Sequence, residues 1–378
     1  MNAFVVSPAA ASSPNSAALT QYSCTGLRLY TQPLVLVHGW GMDSQIWAEL
    51  PQQLRQFADV ITLDLPGFAQ SPALPNYSET DLQQWMAELL PEGCYLIGLS
   101  LGGMLSCGFA ARYPQRVAGL ITLSSNSHFV ANEANPAALD NDLYLGFLDA
   151  FRNDRDSCLK RFSGLQAQGD QQQRQLIRQL RSMQVTLDNH SGAQLLQLLG
   201  EIDNQQALTQ LGCPTLAIFG QGDALVPVAC SDQIAGLNSH IEIAVIEDAG
   251  HLPHLTQPET VIEQIKRFLE RQLYGLDKGK VADSFGRAAH KYDRAAQLQH
   301  QVGEGLISIL EPDSGLTSLI DLGCGTGYHC RQLQAQFPRA QVIGVDLSPA
   351  MLAYAATQYP QGNWLCGDAE DLPLEDRS

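Results

Sequence analysis

Tyr95-Leu96-Ile97-Gly98-Leu99-Ser100-Leu101-Gly102-Gly103-Met104 is the stretch on which the reading of this chain turns. Its first five residues are a short apolar run of the kind expected for a strand covered on both faces. Gly103–Tyr113 follows with a helix pattern. Between the two, Gly98, Ser100 and Gly102 keep the spacing Gly-x-Ser-x-Gly. Glycines flanking a serine let the backbone turn sharply from strand to helix, which lifts the serine clear of the sheet. Ser100 is therefore a candidate nucleophile.

A serine hydroxyl is a weak nucleophile at neutral pH and needs a base, which needs an acid to orient it. His251 follows the apolar run Ile241–Glu247, in Asp248-Ala249-Gly250-His251. Asp223 follows Thr215–Phe219, in Gly220-Gln221-Gly222-Asp223. Taken singly, His251 reads equally as a loop histidine and Asp223 as a turn or helix-cap residue. All three lie at the carboxyl ends of strands in the chain order Ser, Asp, His, and that conjunction selects Ser100, Asp223 and His251 as a catalytic triad. His254 is the rival base, and His251 is preferred because it directly follows the strand and the Ala249-Gly250 turn. The oxyanion of a tetrahedral intermediate needs two N–H donors. Leu101, next after the nucleophile, and Trp40, in His38-Gly39-Trp40-Gly41, are the candidates. His38 reads as a structural residue bonded to loop backbone. A serine at position 100, in place of an aspartate, sets aside dehalogenase and epoxide hydrolase chemistry.

Working outward, apolar runs at Leu34–His38, Val60–Leu65, Tyr95–Leu99, Val117–Ser124, Thr215–Phe219 and Ile241–Glu247 alternate with helical stretches. That alternation predicts a doubly wound α/β sheet, and the Gly-x-Ser-x-Gly elbow with the chain order Ser, Asp, His makes the expected type α/β-hydrolase. Residues 127–208 break the rhythm with no convincing strand and read as a helical insert placed to act as a lid. The expected organisation is a loose tail over 1–25, a hydrolase domain over 26–274 and a second domain over 275–378, joined through Gly275–Gly279. A length of 378 residues suits two domains, and 45% hydrophobic with 16% charged residues excludes a disordered chain. The formal net charge of -17 repels phosphates and anionic lipid, so neither nucleic acid nor a membrane is expected as a partner. The first 20 residues lack the pattern of a signal peptide, and nine cysteines without a Cys-x-x-Cys pair read as reduced thiols. A cytoplasmic location follows as the expectation. No His/Cys/Asp cluster has metal-ligand spacing, so no catalytic metal is expected.

Two further patterns carry chemistry. Of the 22 lysines and arginines, seven (Arg152, Arg155, Lys160, Arg161, Arg174, Arg178 and Arg181) fall within residues 150–185. Arg174, Arg178 and Arg181 share one helix face, which reads either as an ordinary solvated surface or as a docking surface for an acidic partner. Later, Leu319–Gly327 is a strand entering a glycine-rich turn with Asp321, Gly323, Gly325 and Gly327. Val342–Val345 is a second strand, ending in Asp346, whose carboxylate can accept ribose hydroxyls. Trp364–Cys366 is a third, followed by Asp368, placed to meet an adenine amino group. Features at three consecutive strand ends point to an S-adenosylmethionine site, against a nucleotide-free βα turn.

On the stretches Leu34–Trp47, Leu96–Met104, Phe219–Pro227 and Asp248–Leu255, residues 34–273 resemble the pimeloyl-[acyl-carrier protein] methyl ester esterases of biotin synthesis. The resemblance implies a carboxylesterase that needs no cofactor and acts on an acyl chain held by an acyl-carrier protein. It also implies that Arg161, Arg174 and Arg178 dock the carrier; where the family has a further basic residue this chain has Ser157. On Val281–Ala296, Asp321–Gly327, Val345–Leu352 and Gly367–Leu374, residues 278–378 resemble the front part of malonyl-[acyl-carrier protein] O-methyltransferases. Bifunctional proteins of biotin synthesis pair these activities. The second domain is expected to be a partial Rossmann-like class I methyltransferase domain that does not methylate on its own, with an unpaired edge after Pro373–Ser378. Two other readings stay open: a general short-chain esterase or carbon–carbon bond hydrolase, and a cofactor-binding methyltransferase with the hydrolase as accessory.

Overall fold

The computed structural model describes residues 18–183, 185–274, 278–310, 316–369 and 372. The chain divides into two compact units, Met1–Leu273 and Tyr274–Ser378. In the first, the elements run β1 (Leu19–Tyr22), β2 (Leu34–Val37), α1 (Leu50–Leu54), β3 (Val60–Leu63), α2 (Glu79–Leu89), β4 (Cys94–Leu99), α3 (Leu101–Arg112) and β5 (Val117–Leu123). The insert follows as α4 (Asn141–Asn153), α5 (Arg155–Gln166), α6 (Gln173–Ser182), α7 (Asn189–Glu201) and α8 (Gln205–Gln210). Then come β6 (Thr215–Gly220), α9 (Cys230–Leu237), β7 (Ile241–Ile246), α10 (Pro253–Thr256) and α11 (Pro258–Tyr274).

These strands form one seven-stranded sheet in the order β1-β3-β2-β4-β5-β6-β7. Every residue of β2, β3, β4 and β6 is buried, as expected of parallel strands with helices on both faces. From β2 the chain winds outward to β3 on one side, then crosses to β4 on the other. The carboxyl ends of β2 and β4 therefore flank the point where strand order reverses, the crevice in which such sheets bind ligands. Their register pairs Val37 with Gly98, which brings the loop after β2 beside Ser100.

The expected loose tail over 1–25 is corrected over its last part. Leu19–Tyr22 pairs antiparallel with β3, Leu19 opposite Leu63, and the Ala18 carbonyl accepts the Asp64 N–H at 2.8 Å. Leu-Thr-Gln-Tyr lacks a periodic apolar pattern because this edge strand is held by backbone bonds, with Thr20 and Gln21 left exposed. Residues 1–17 lie outside the described residues.

The second unit contains α12 (Lys278–Ala295), α13 (Gln297–Ser308), β8 (Ser318–Leu322), α14 (Tyr328–Gln336), β9 (Gln341–Asp346), α15 (Pro349–Gln358) and β10 (Asn363–Cys366). Of the expected linker, Lys278 and Gly279 already belong to α12, and 275–277 lie outside the described residues. The three strands make a parallel sheet in the order β10-β9-β8. Its core gathers Cys330, Leu333, Phe337, Val342 and Leu352, while Ile320 and Leu322 on β8 are exposed. The edge expected after Pro373–Ser378 lies outside the described residues. Among the described residues no helix is long and apolar enough to cross a membrane.

Candidate active site

Ser100 stands at the β4–α3 turn with φ 52° and ψ -119°, in the positive-φ region that a side chain other than glycine rarely enters. The flanking glycines are required by contact. A Cβ on Gly98 would lie 2.5 Å from the Gly102 carbonyl oxygen, and one on Gly102 would lie 2.1 Å from that of Val37. The turn thus packs its backbone directly on β2. Ser100 N–H donates to Leu123 O at 2.9 Å, which ties the elbow to β5.

The loops after β6 and β7 nest together. Gly222 N–H donates to Ala249 O at 2.9 Å, and a Cβ on Gly220 would meet Gly250 O at 2.0 Å. Within this nest His251 Nδ1 donates to Asp223 Oδ2 at 2.8 Å, with both side chains wholly buried. The other oxygen, Asp223 Oδ1, accepts the N–H groups of Leu225 at 2.8 Å and Val226 at 3.0 Å. A carboxylate held by three donors is fixed in orientation, and its bond to Nδ1 orients the imidazole. The Nε2 of His251 is then the outer nitrogen, and that atom is buried with no hydrogen-bond partner among the described residues. The expected Ser100–His251 bond is not formed in this structure. A serine hydroxyl re-aims by rotation about one bond, and catalytic bonds of this kind tighten when substrate binds.

His254, the rival base, donates from Nε2 to Ile46 O at 3.0 Å and packs on Trp47. Burial pushes its pKa down to about 4, which suits a neutral structural group. His38, unlike His254, is tied at both ring nitrogens. Nδ1 donates to Gly39 O at 2.8 Å and Nε2 accepts the Leu65 N–H at 2.9 Å.

Leu101 is the first residue of α3, so its N–H has no helical carbonyl to bond. Trp40 follows Gly39, whose Cβ position lies only 3.1 Å from Ser100 Cβ. Leu101 and the Gly39–Trp40 loop therefore lie on either side of the serine. The Trp40 indole reaches into the insert, donating to Gly192 O at 2.8 Å and meeting Phe151 and Phe162 edge-on. Beyond Trp40, a cavity of about 670 Å³ is walled by Gly41, Met42, Leu159 and Phe162, with Lys160 and Arg181 in its lining. Arg161, Arg174 and Arg178 are exposed on α5 and α6, and none forms an ion pair with a described residue.

In the second unit Gly323, Gly325, Asp346 and Asp368 line one cavity of about 290 Å³ with Phe285 and Met351. Asp346 Oδ2 accepts the Gly325 N–H at 2.8 Å, and Oδ1 accepts that of Ser348 at 2.8 Å. The carboxylate thereby folds the glycine loop over the end of β9. Gly323 and Gly325 take positive φ, and a Cβ on Gly323 would meet open space. Asp321 and Gly327 are not in that lining. Asp321 accepts the Cys330 thiol at 3.2 Å, and burial raises its pKa. Gly327 lets the start of α14 pack on Trp364, whose ring a Cβ there would approach to 2.3 Å. Among the described residues no group of His, Cys, Asp or Glu could hold a metal ion.

This geometry is matched by a family model. The model of the alpha/beta hydrolase fold matches residues 32–258. The chain belongs to the alpha/beta hydrolase family. A methyltransferase domain model matches residues 319–378. A relative in Cellvibrio japonicus, "Biotin biosynthesis bifunctional protein BioHC", is 43% identical over 350 residues, covering 92% of this chain and 69% of its own. The "Pimeloyl-[acyl-carrier protein] methyl ester esterase" of Aeromonas hydrophila is 35% identical over 241 residues, covering 62% of this chain and 94% of its own. Among solved structures, a thermophilic esterase from Thermogutta terrifontis superposes with TM-score 0.57 at 28% identity, over 67% of this chain and 93% of its own. The chain is thus a hydrolase joined to a methyltransferase domain, and it spans about two thirds of the length of its bifunctional relative.

Two features lay beyond the reach of sequence reasoning. The fixing of Asp223 by Leu225 and Val226 leaves no pattern in the chain. The tie between Trp40 and the insert spans 152 positions.

Proposed function

We propose that the first unit is a serine carboxylesterase that cleaves the methyl ester of a pimeloyl chain carried on an acyl-carrier protein. The observation that carries the hydrolytic part is the buried Asp223–His251 pair, 2.8 Å apart, with its outer nitrogen free. Ser100 Oγ attacks the ester carbonyl and passes its proton to His251 Nε2. Asp223 holds the imidazole and stabilises its cationic form. The N–H groups of Trp40 and Leu101 receive the oxyanion. His251 then protonates the departing methoxide, methanol leaves, and a water deprotonated by the same nitrogen releases the acid.

The substrate reading rests on similarity over nearly the whole chain to the Cellvibrio protein, supported by the insert's unpaired arginines. The cavity beyond Trp40, lined by apolar side chains together with Arg155, Lys160 and Arg181, would suit the arm of an acidic carrier, although no triad residue lines it. Esterification hides a charge that an apolar pocket elsewhere would have to desolvate, and hydrolysis restores it. In the second unit Gly323, Gly325, Asp346 and Asp368 would hold S-adenosylmethionine, which supplies a methyl group when bound.

The test is methanol release from pimeloyl methyl ester on a carrier protein, set against the free dimethyl ester of the same acid. The reading expects kcat/KM to favour the carrier-bound form by about 10-fold or more, as docking charges add binding. Equal rates on both would leave a general esterase.

A further inference from the structure

The segment between α5 and α6 does more than connect two helices of the insert. Asp170 is buried there, and its carboxylate reaches the loop that presents His251. Asp170 Oδ2 accepts the Gly250 N–H at 2.9 Å and the Thr256 hydroxyl at 2.7 Å. Asp170 Oδ1 accepts the Gln172 N–H at 2.7 Å. Gly250 is the residue immediately before His251, and Thr256 closes the short helix α10 just after it. The carboxylate therefore bridges both sides of the histidine. The neighbouring residues extend the bridge. Gln171 N–H donates to Asp248 O at 3.0 Å, and Gln172 Nε2 donates to Thr256 O at 2.9 Å.

The same segment also seats the acid loop. Gly169 takes φ +81°, and a Cβ there would fall 1.8 Å from Gly222 O, one residue before Asp223. One six-residue strap of the insert thus rests on the loops of both the acid and the base. An ionised carboxylate is costly to bury and is tolerated where donors converge on it. Here two of the three donors belong to the histidine loop, a lock that structural capping of α6 does not require.

We propose that Asp170 is a positioning residue for His251, holding the base where Ser100 can use it. The proposal rests on the triad reading above. It also gives the insert a mechanical role: α6, which bears Arg174 and Arg178, begins at the strap that fixes the base.

The experiment compares Asp170→Ala, Asp170→Asn and Ser100→Ala with the parent, each checked for an intact melting transition. Turnover of a p-nitrophenyl ester separates kcat from KM, and inactivation by a small fluorophosphonate reads nucleophile activation without substrate docking. Asp170→Ala is expected to lower kcat and the inactivation rate by about 10- to 100-fold with little change in KM, since a misplaced base costs that much. Asp170→Asn retains an oxygen that can face Gly250 and Thr256, and should recover most of the loss. If the alanine variant fails to fold, Asp170→Glu, which keeps the charge and moves the carboxylate by one methylene, carries the same expectation. A folded variant with kcat and inactivation rate near the parent's overturns the positioning role. Surviving turnover in Ser100→Ala overturns the triad itself, a separate failure.

Discussion

At the scale of single residues, the candidate site is built by burying polar groups and fixing them with donors from the neighbouring backbone. Asp223 is held by three donors, and His251 is left with one unpartnered nitrogen. His254, three residues away, is bonded instead through Nε2 to Ile46 O and kept neutral by burial, with its Nδ1 also unpartnered among the described residues. That difference has a measurable consequence. In the unfolded chain an imidazole titrates near 6.5, whereas folded His254 titrates at about 4. As pH falls, the unfolded state takes up the proton first, so stability is lost from about 6.5 downward and the loss levels off below about 4. His38, lowered by burial in the same direction, adds to the loss. His254 alone should cost about 2 kcal/mol between pH 7 and pH 5. Urea unfolding at the two pH values checks this. His254→Gln, which keeps a donor for Ile46 O, should flatten the dependence by that amount, and an unchanged slope would refute the assignment.

At the scale of elements, legibility followed how local the cause was. Strands β2 to β6 were legible because parallel strands covered on both faces are apolar along nearly their whole length, β7 from the apolar residues it keeps around Glu242 at a partly buried edge, and the elbow because backbone contact at Gly98 and Gly102 leaves no room for side chains. Strand β1 was not legible, since pairing with β3 through its backbone asks nothing of its side chains. The pairing of Asp223 with His251 was legible from strand ends and chain order, but Asp170 was not. In the sequence it is one of three acids among seven basic residues, and only folding carries it across 80 positions to Gly250. The helices α5 and α6 also carry the arginines proposed to dock a carrier protein. Since Arg174 and Arg178 are exposed and form no ion pairs with described residues, reversing their charge should cost the fold little beyond the surface bond from Arg178 Nε to Arg174 O. Arg174→Glu with Arg178→Glu should reduce kcat/KM on a carrier-bound methyl ester by about 10-fold or more at low salt, with the deficit shrinking as salt rises. Turnover of a small ester should stay within about twofold. A parallel loss on both substrates would mean the helix matters for the fold and not for docking.

At the scale of the whole molecule, two compact units carry two chemically unlike sites. One, on the proposed reading, is an oxyanion and proton-transfer site whose working atoms are all supplied by the chain. The other is a cavity at the ends of β8, β9 and β10 whose chemistry, on the cofactor reading, comes from a bound methyl donor. The residues of each site are drawn wholly from its own unit, so the sites should be separable by substitution. Ser100→Ala is expected to lower ester hydrolysis by about 10³-fold or more, as removal of the nucleophile does in related triads, while calorimetric titration with S-adenosylmethionine stays unchanged. Asp346→Ala should do the reverse. It removes the acceptor for Gly325 and Ser348, opens the glycine loop, and should abolish the titration heat with hydrolysis at the parent's rate. A parent chain that gives no titration heat would remove the cofactor reading from the second unit and leave the hydrolase untouched. A loss of hydrolysis in Asp346→Ala would instead show that the two sites depend on each other, which nothing in the residues that build either site requires.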